Sequence, residues 1–215
     1  MDYASSDAPV GSDAPASVPG PRGTDMLLPH SARGVKVVIV GGFGVGKTTM
    51  VGAVSEIPPL TTEETMTQAG VGIDHNPGAE GKNTTTVAMD FGRISINQEL
   101  VLYLFGTPGQ ERFWFLWNGI FEGALGAVVL VDTRRIEVCF EVITRLEDRR
   151  VPFVVAVNTF PEAPQYPVED LRAALALGES VPLVACDARD RASCRDALLS
   201  LMDYLHTLVA AQETA

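Results

Sequence analysis

The chain has 215 residues, 46% of them hydrophobic, and 27 acidic against 16 basic side chains give a formal net charge of −11 and an isoelectric point near 4.6. That balance excludes general nucleic-acid binding, which needs a basic footprint. It also excludes electrostatic attachment to anionic lipid, since no polybasic run overrides the net charge.

No apolar run approaches the ~18 residues of a membrane span. The N-terminus, MDYASSDAPV, lacks the basic and apolar parts of a signal peptide. The C-terminus, HTLVAAQETA, carries no prenylation motif, and Met1-Asp2 excludes myristoylation. A cytoplasmic protein is the expectation. Cys139, Cys186 and Cys194 show no metal-ligand spacing and read as structural thiols.

Residues 1–33 are rich in Ser, Ala, Pro, Gly and Asp, with few bulky apolar residues to offset the entropy of ordering, and read as a disordered tail. Residues 34–215 read as one domain. VKVVIV, from Val35, suits a strand buried on both faces. GGFGVGKTTMVGAVSE is a glycine loop entering a helix that Pro58 and Pro59 terminate. Leu60 to Lys82 has no strong period and reads as a long, mobile connection.

TTTVAMDFGRISI and ELVLYLF read as two strands of a hairpin turning at Asn97-Gln98, with a helical segment around Phe113 to Phe121 behind them. ALGAVVLVDT, IEVCFEVITRLEDRR, PFVVAVN, VEDLRAALAL, VPLVAC and RASCRDALLSLMDYLHTLV then alternate strand and helix. The alternation predicts an α/β fold: a mainly parallel six-stranded sheet with one antiparallel edge and helices on both faces.

Gly41-Gly42-Phe43-Gly44-Val45-Gly46-Lys47-Thr48 matches G-x-x-x-x-G-K-[ST] between a predicted strand and a predicted helix, the context this phosphate loop requires. Glycines let backbone N–H groups curl around phosphate oxygens, and the helix N-terminus adds unpaired donors. Gly41, Gly42, Gly44, Val45, Gly46, Lys47, Thr48 and Thr49 are therefore the candidate nucleotide-binding residues. Lys47 would pair with the β- and γ-phosphates, and Thr48 would place its hydroxyl on Mg²⁺.

TVAMDF, after the long connection, resembles the switch I strand of the Ras-like small GTPases, T-[IV]-G-x-[DE]-F. The resemblance makes Thr86 the threonine that coordinates Mg²⁺ and contacts the γ-phosphate, with Thr85 second. LFGTPGQERF falls on the family's switch II, D-x-x-G-Q: Gly109 would present its N–H to the γ-phosphate and Gln110 would orient the attacking water. Lys47, Thr86 and Gln110 are thus the candidate catalytic residues, and Thr48 and Thr86 the candidate metal ligands.

The sequence departs from the family at defined points. Gly106 stands where the family has the Asp that holds Mg²⁺ through a water; Asp90 or Asp132 could substitute. Phe43 replaces a glycine and would crowd the path of a partner's arginine, which predicts slow hydrolysis. In the guanine-reading N-K-x-D loop, Asn158 is in place, but Thr159 and Pro161 replace Lys and Asp, with Glu162 one step later. Ala185-Cys186-Asp187-Ala188-Arg189 resembles the S-A-K loop, with Ala188 offering its N–H to guanine O6.

GGFGVGKTT, TTTVAMDFGRI and LFGTPGQERF together resemble a narrower group, the actinobacterial conservon GTPases related to the gliding-motility GTPase MglA, over Gly34 to Leu208. The resemblance implies a GTP/GDP-binding switch with Mg²⁺. It also implies partners of two kinds, a roadblock-type regulatory protein and a histidine-kinase-like membrane protein that would recruit the chain to the membrane. Two rivals stay open: a P-loop ATPase or small-molecule kinase, for which AVVLVD ending at Asp132 looks like a Walker B strand, and a nucleotide-bound scaffold without turnover. Trp114, Phe115 and Trp117 either anchor a partner or fill space under switch II.

Overall fold

The structure, a computed structural model, describes residues 33–58, 60–67, 84–161 and 163–213; the side chains of 61–67, 84–88, 111 and 112 are outside the description. The expected tail lies outside the described residues except for Arg33, which already begins the first strand.

All six expected strands are present: β1 (Arg33–Val40), β3 (Thr84–Ser95), β4 (Leu100–Gly106), β5 (Ala124–Val131), β6 (Phe153–Asn158) and β7 (Leu183–Cys186). A seventh, β2 (Leu60–Thr67), occupies the start of the segment read as a loop. Its register pairs Leu60 with Phe91 and Thr67 with Thr84, antiparallel to β3. The miss has a physical reason. A threonine-rich edge strand with no alternating apolar face carries no period-2 signal, and pairing with β3 supplies what periodicity does not. Residues 68–82 of the expected connection lie outside the described residues.

The strand order is β2-β3-β4-β1-β5-β6-β7. β1 pairs in parallel with both β4 and β5, β5 with β6 and β6 with β7, while β3 runs antiparallel to β4. The continuous apolar runs follow from this arrangement, because a central strand buries both faces. Alternate residues go to opposite layers. Val37 and Ile39 of β1, with Val128 and Leu130 of β5, join the core under α1 (Lys47–Val54) and α5 (Arg191–Glu213). Val38 and Val40, with Val129 and Val131, join the core on the opposite face under α2 (Trp117–Phe121) and α3 (Val138–Asp148). Leu175, just beyond α4 (Val168–Ala174), belongs to that second core.

The aromatic segment divides between the two readings open at the sequence level. Glu111–Leu116 is a 3-10 helix running straight into α2. Trp117 is fully buried, with ring centroids 5.6 Å from Trp114 and 5.5 Å from Phe121. Trp114 is half-buried, with the Arg145 guanidinium 4.5 Å from its ring centroid, whereas Phe115 is 60% exposed. The fold thus uses Trp117 as core and leaves Phe115 on the surface. All three cysteines are free and buried, as structural thiols should be.

Because Trp117 fills the second core, Trp117→Ala is expected to cost about 3–5 kcal/mol in urea unfolding. Its indole Nε1 is buried without a hydrogen-bond partner. Trp117→Phe should therefore cost much less, since it removes an unsatisfied donor along with part of the volume. Phe115→Ala should stay within about 0.5 kcal/mol of wild type.

Candidate nucleotide-binding site

β1, β4, β5, β6 and β7 end at Val40, Gly106, Val131, Asn158 and Cys186, and every candidate loop but that of Thr86, which lies in β3, leaves from one of these ends. β1 sits where the chain order reverses, with β4 on one side and β5 on the other. In open α/β sheets that edge is where ligands bind.

The loop from β1 to α1 needs glycine at defined points. Gly41, Gly44 and Gly46 have φ of +143°, +76° and +108°, a region side chains disfavour. A Cβ on Gly41 would lie 2.5 Å from the Leu130 carbonyl oxygen, and one on Gly46 would lie 2.7 Å from Asn158 Nδ2. These positions are glycine because neighbouring strands press on the loop from beneath. Gly46 caps α1, and no side chain serves as its N-cap, leaving the first-turn N–H groups for another acceptor.

Lys47 is buried at 8% exposure, and its Nζ donates to the carbonyls of Gly41 at 2.9 Å and Gly42 at 2.7 Å. Burial pushes its pKa down to about 8, partly opposed by the nearby Asp90 carboxylate. Thr48 Oγ1 donates to Asp90 Oδ2 at 2.6 Å. Thr49 is exposed on the next position of α1, and Val45 is buried in the core beneath the loop.

Gly106 and Asp90 face each other in the β3–β4 register. A Cβ at Gly106 would stand 2.9 Å from Asp90 Oδ2 and 3.0 Å from Asp90 Cβ. The Asp90 carboxylate therefore occupies space that a side chain at residue 106 would need. Asp132, the other candidate, is committed elsewhere. It accepts from Arg134 N, Nε and Nη2 at 3.0, 2.9 and 2.8 Å, and these contacts hold its carboxyl below the usual range.

The stretch after β4 packs against the phosphate loop. A Cβ on Gly109 would lie 2.6 Å from Lys47 Nζ and 2.8 Å from the Phe43 N and Cα. Gln110 N-caps the 3-10 helix without a side-chain hydrogen bond, and its Oε1 is buried with no protein donor. Thr86 pairs with Thr65 across β2–β3, and its side chain lies outside the description. Phe43 is 66% exposed at the loop apex.

Asn158 behaves as a joint. Its Nδ2 donates to the Val45 carbonyl at 2.8 Å and its Oδ1 accepts from Ala188 N at 3.0 Å. The Ala188 N–H, expected to face guanine O6, donates here to Asn158, and the residue is buried at 2%. Asp187 is engaged by Arg189, with both guanidinium contacts within 2.9 Å, and that ion pair holds its pKa at about 2. Pro161 is exposed at the position of the missing Asp, and Glu162 lies outside the described residues. Asn158, placed at the base by the sequence resemblance, also has a scaffolding role between two loops distant in sequence, which no local pattern signals.

Comparison with known proteins agrees with this architecture. Residues 39–208 match the family described as conserved hypothetical ATP binding protein, and the chain belongs to that family. It is 33% identical over 129 residues to an uncharacterized protein of Methanocaldococcus jannaschii, covering 58% of this chain and 69% of that one. It is 28% identical over 113 residues to the Ras-related protein Rab-11C of Dictyostelium discoideum, covering 51% of this chain and 41% of the relative's length. Among solved structures, the G domain of the T. maritima FeoB iron transporter superposes with a TM-score of 0.56 at 16% identity, covering 80% of this chain and 99% of that one. The fold is that of a Ras-like P-loop domain. Among the described residues no helix is long and apolar enough to cross a membrane.

The depressed pKa of Lys47 has a sign that calorimetry reads. Bound phosphate would raise it again, so nucleotide binding should take up a proton wherever the free amine is neutral. Uptake, measured in buffers of differing ionisation enthalpy, should be near zero at pH 7 and grow from pH 7 to pH 9, with affinity falling as pH rises through about 8. Lys47→Ala should abolish the uptake. Separately, Asn158→Ala should cost roughly 2–6 kcal/mol in unfolding, because the Val45 carbonyl and the Ala188 N–H both lose their buried partner.

Proposed function

We propose that this chain is a nucleotide-dependent switch that binds GTP and GDP and hydrolyses GTP slowly. The observation that carries the reading is the contact between the stretch after β4 and the phosphate loop. Gly109 lies against Lys47 Nζ and the Phe43 backbone, so a phosphate seated on Lys47 would displace or engage that stretch directly. A switch needs such a segment, whose position depends on one phosphate.

The chain's own residues divide the work. Lys47 leaves its loop carbonyls for phosphate oxygens, and the α1 N-terminus donates beside it. Gln110, whose Oε1 has no protein donor, orients the attacking water. Thr86 belongs to the strand that would order with the triphosphate. The residues present also fit magnesium: Thr48 hydroxyl and Asp90 carboxylate are hard oxygen donors 2.6 Å apart, and Gly106 leaves room for the carboxylate. Bound with the nucleotide, the ion would neutralise charge on the β- and γ-oxygens.

Support for guanine comes from the Ras-related relative and the sequence resemblance. A second reading, an adenine nucleotide or relaxed base choice, is favoured by two observations. Residue 161 is a proline, and the Ala188 N–H is already given to Asn158. The family description points the same way. The partners, a roadblock-type protein and a histidine-kinase-like membrane protein, belong to the proposal through the sequence resemblance to the conservon GTPases.

Calorimetry with GTP, GDP and ATP, with and without magnesium, tests the reading. GTP and GDP should bind more tightly than ATP, and Lys47→Ala should lose all binding; equal or better ATP binding would remove the guanine assignment. Asp90→Asn should weaken magnesium-dependent binding by roughly 10–100-fold while leaving magnesium-free binding nearly unchanged. Turnover should stay below about 1 s⁻¹, and Gln110→Ala should reduce it further. Phosphate release unaffected by Gln110→Ala would leave the water-orienting role without support.

A further inference from the structure

One cation beside the phosphate loop has no part in the reading above. Arg135 closes the short 3-10 turn Thr133–Arg135, which Asp132 caps at its start. Arg134 is committed within that turn, its guanidinium bonded twice to Asp132 and centred 3.9 Å from the Phe160 ring centroid. Arg135 reaches to the phosphate loop instead, and Nη2 donates to the Phe43 carbonyl at 2.8 Å. Its contact with Asp132 is loose, at 3.9 Å, and its side chain is half exposed. A Cβ on Gly44 would lie 3.6 Å from the same Nη2.

The Phe43 carbonyl and the Gly44 N–H are the two ends of one peptide plane. Around the same Phe43 backbone stand Gly109 and Lys47 Nζ, as the short distances from a Cβ on Gly109 record. Arg135 and Lys47 therefore bring two positive charges to one stretch of loop, Lys47 at the Gly41 and Gly42 carbonyls and Arg135 at that of Phe43. A cation bonded to a carbonyl polarises its peptide and strengthens the N–H at the other end as a donor. In hydrolysis, water oxygen bonds to the γ-phosphorus, the bond to the bridging oxygen breaks, and its electron pair stays on the diphosphate; the water proton leaves to phosphate or solvent. Fixed donors facing the oxygen that gains charge lower that barrier.

We infer that Arg135 is a positioning residue of the phosphate site, fixing and polarising the Phe43–Gly44 peptide so that its N–H supports triphosphate cleavage. The chain thereby supplies from its own β5–α3 connection a positive charge that other switches take from a partner. This rests on the proposed binding and hydrolysis of a nucleoside triphosphate. It also accounts for a functional site whose loop apex carries an exposed phenyl group, because the arginine acts from the carbonyl side of the same residue.

The test is single-turnover hydrolysis of prebound GTP, or of ATP if that binds better. Wild type, Arg135→Met, Arg135→Lys and Gln110→Ala are compared, with diphosphate affinity and thermal unfolding measured in parallel. Arg135→Met should slow hydrolysis roughly tenfold to a hundredfold, the gap between switches with and without an arginine of their own. Diphosphate affinity should change less than about twofold, the mark of an interaction made in the transition state. Arg135→Lys, which keeps charge and donor, should recover most of the rate. A Met variant hydrolysing at the wild-type rate overturns the inference while leaving Gln110-dependent turnover, and so the underlying switch, intact. A Met variant losing rate, diphosphate affinity and melting temperature in step reduces Arg135 to a structural tether and overturns it too. Absence of turnover in wild type overturns this inference and the hydrolytic reading together.

Discussion

The side-chain amide of Asn158 holds the site together. It satisfies a carbonyl 113 residues away at Val45 and an N–H 30 residues away at Ala188, both in the interior. Each would carry a desolvation cost of ~1–3 kcal/mol if left alone. Its Nδ2 presses so close to Gly46 that no side chain fits there. The loop can then curl through left-handed conformations only because glycine occupies the positions where it does. One buried amide at the end of β6 thus ties the phosphate loop at Val45 and Gly46 to the turn after β7.

A second constraint is charge placed in a dry setting. Lys47 is buried, bonded to loop carbonyls and within the field of Asp90. Asp90 in turn accepts from Thr48 and occupies the space left by Gly106. This small network keeps donors and acceptors matched. It also explains how a strand-end glycine can stand where relatives by resemblance carry an acid: two carboxylates at Asp90 and residue 106 would crowd each other sterically and repel. The acid nearest Thr48 stands instead one rung across the β3–β4 ladder, at Asp90.

Much of this could be read along the chain. β1, β4, β5 and β6 were visible as largely apolar runs because strands flanked by helices on both sides bury most of their residues, whereas β3 and β7 were visible through the hairpin and the strand–helix alternation. The phosphate loop was visible because its glycines, Lys47 and Thr48 answer to local geometry. β2 was not, since a threonine-rich edge strand is defined by its partner. Nor was the division of labour within WFLW, where a 3-10 turn running into α2 sends Trp117 inward and Phe115 outward.

By itself the sequence determined the class of fold, the phosphate loop and its order along the chain, because short-range sterics and hydrophobic period fix those. Tertiary structure alone decided three things: that Asp90 and not Asp132 faces Thr48, that Asn158 takes the Ala188 N–H, and that Arg135 meets Phe43. Each depends on strand register or on loops brought together from distant positions. The sequence lists the donors and acceptors, but register and topology determine which ones meet.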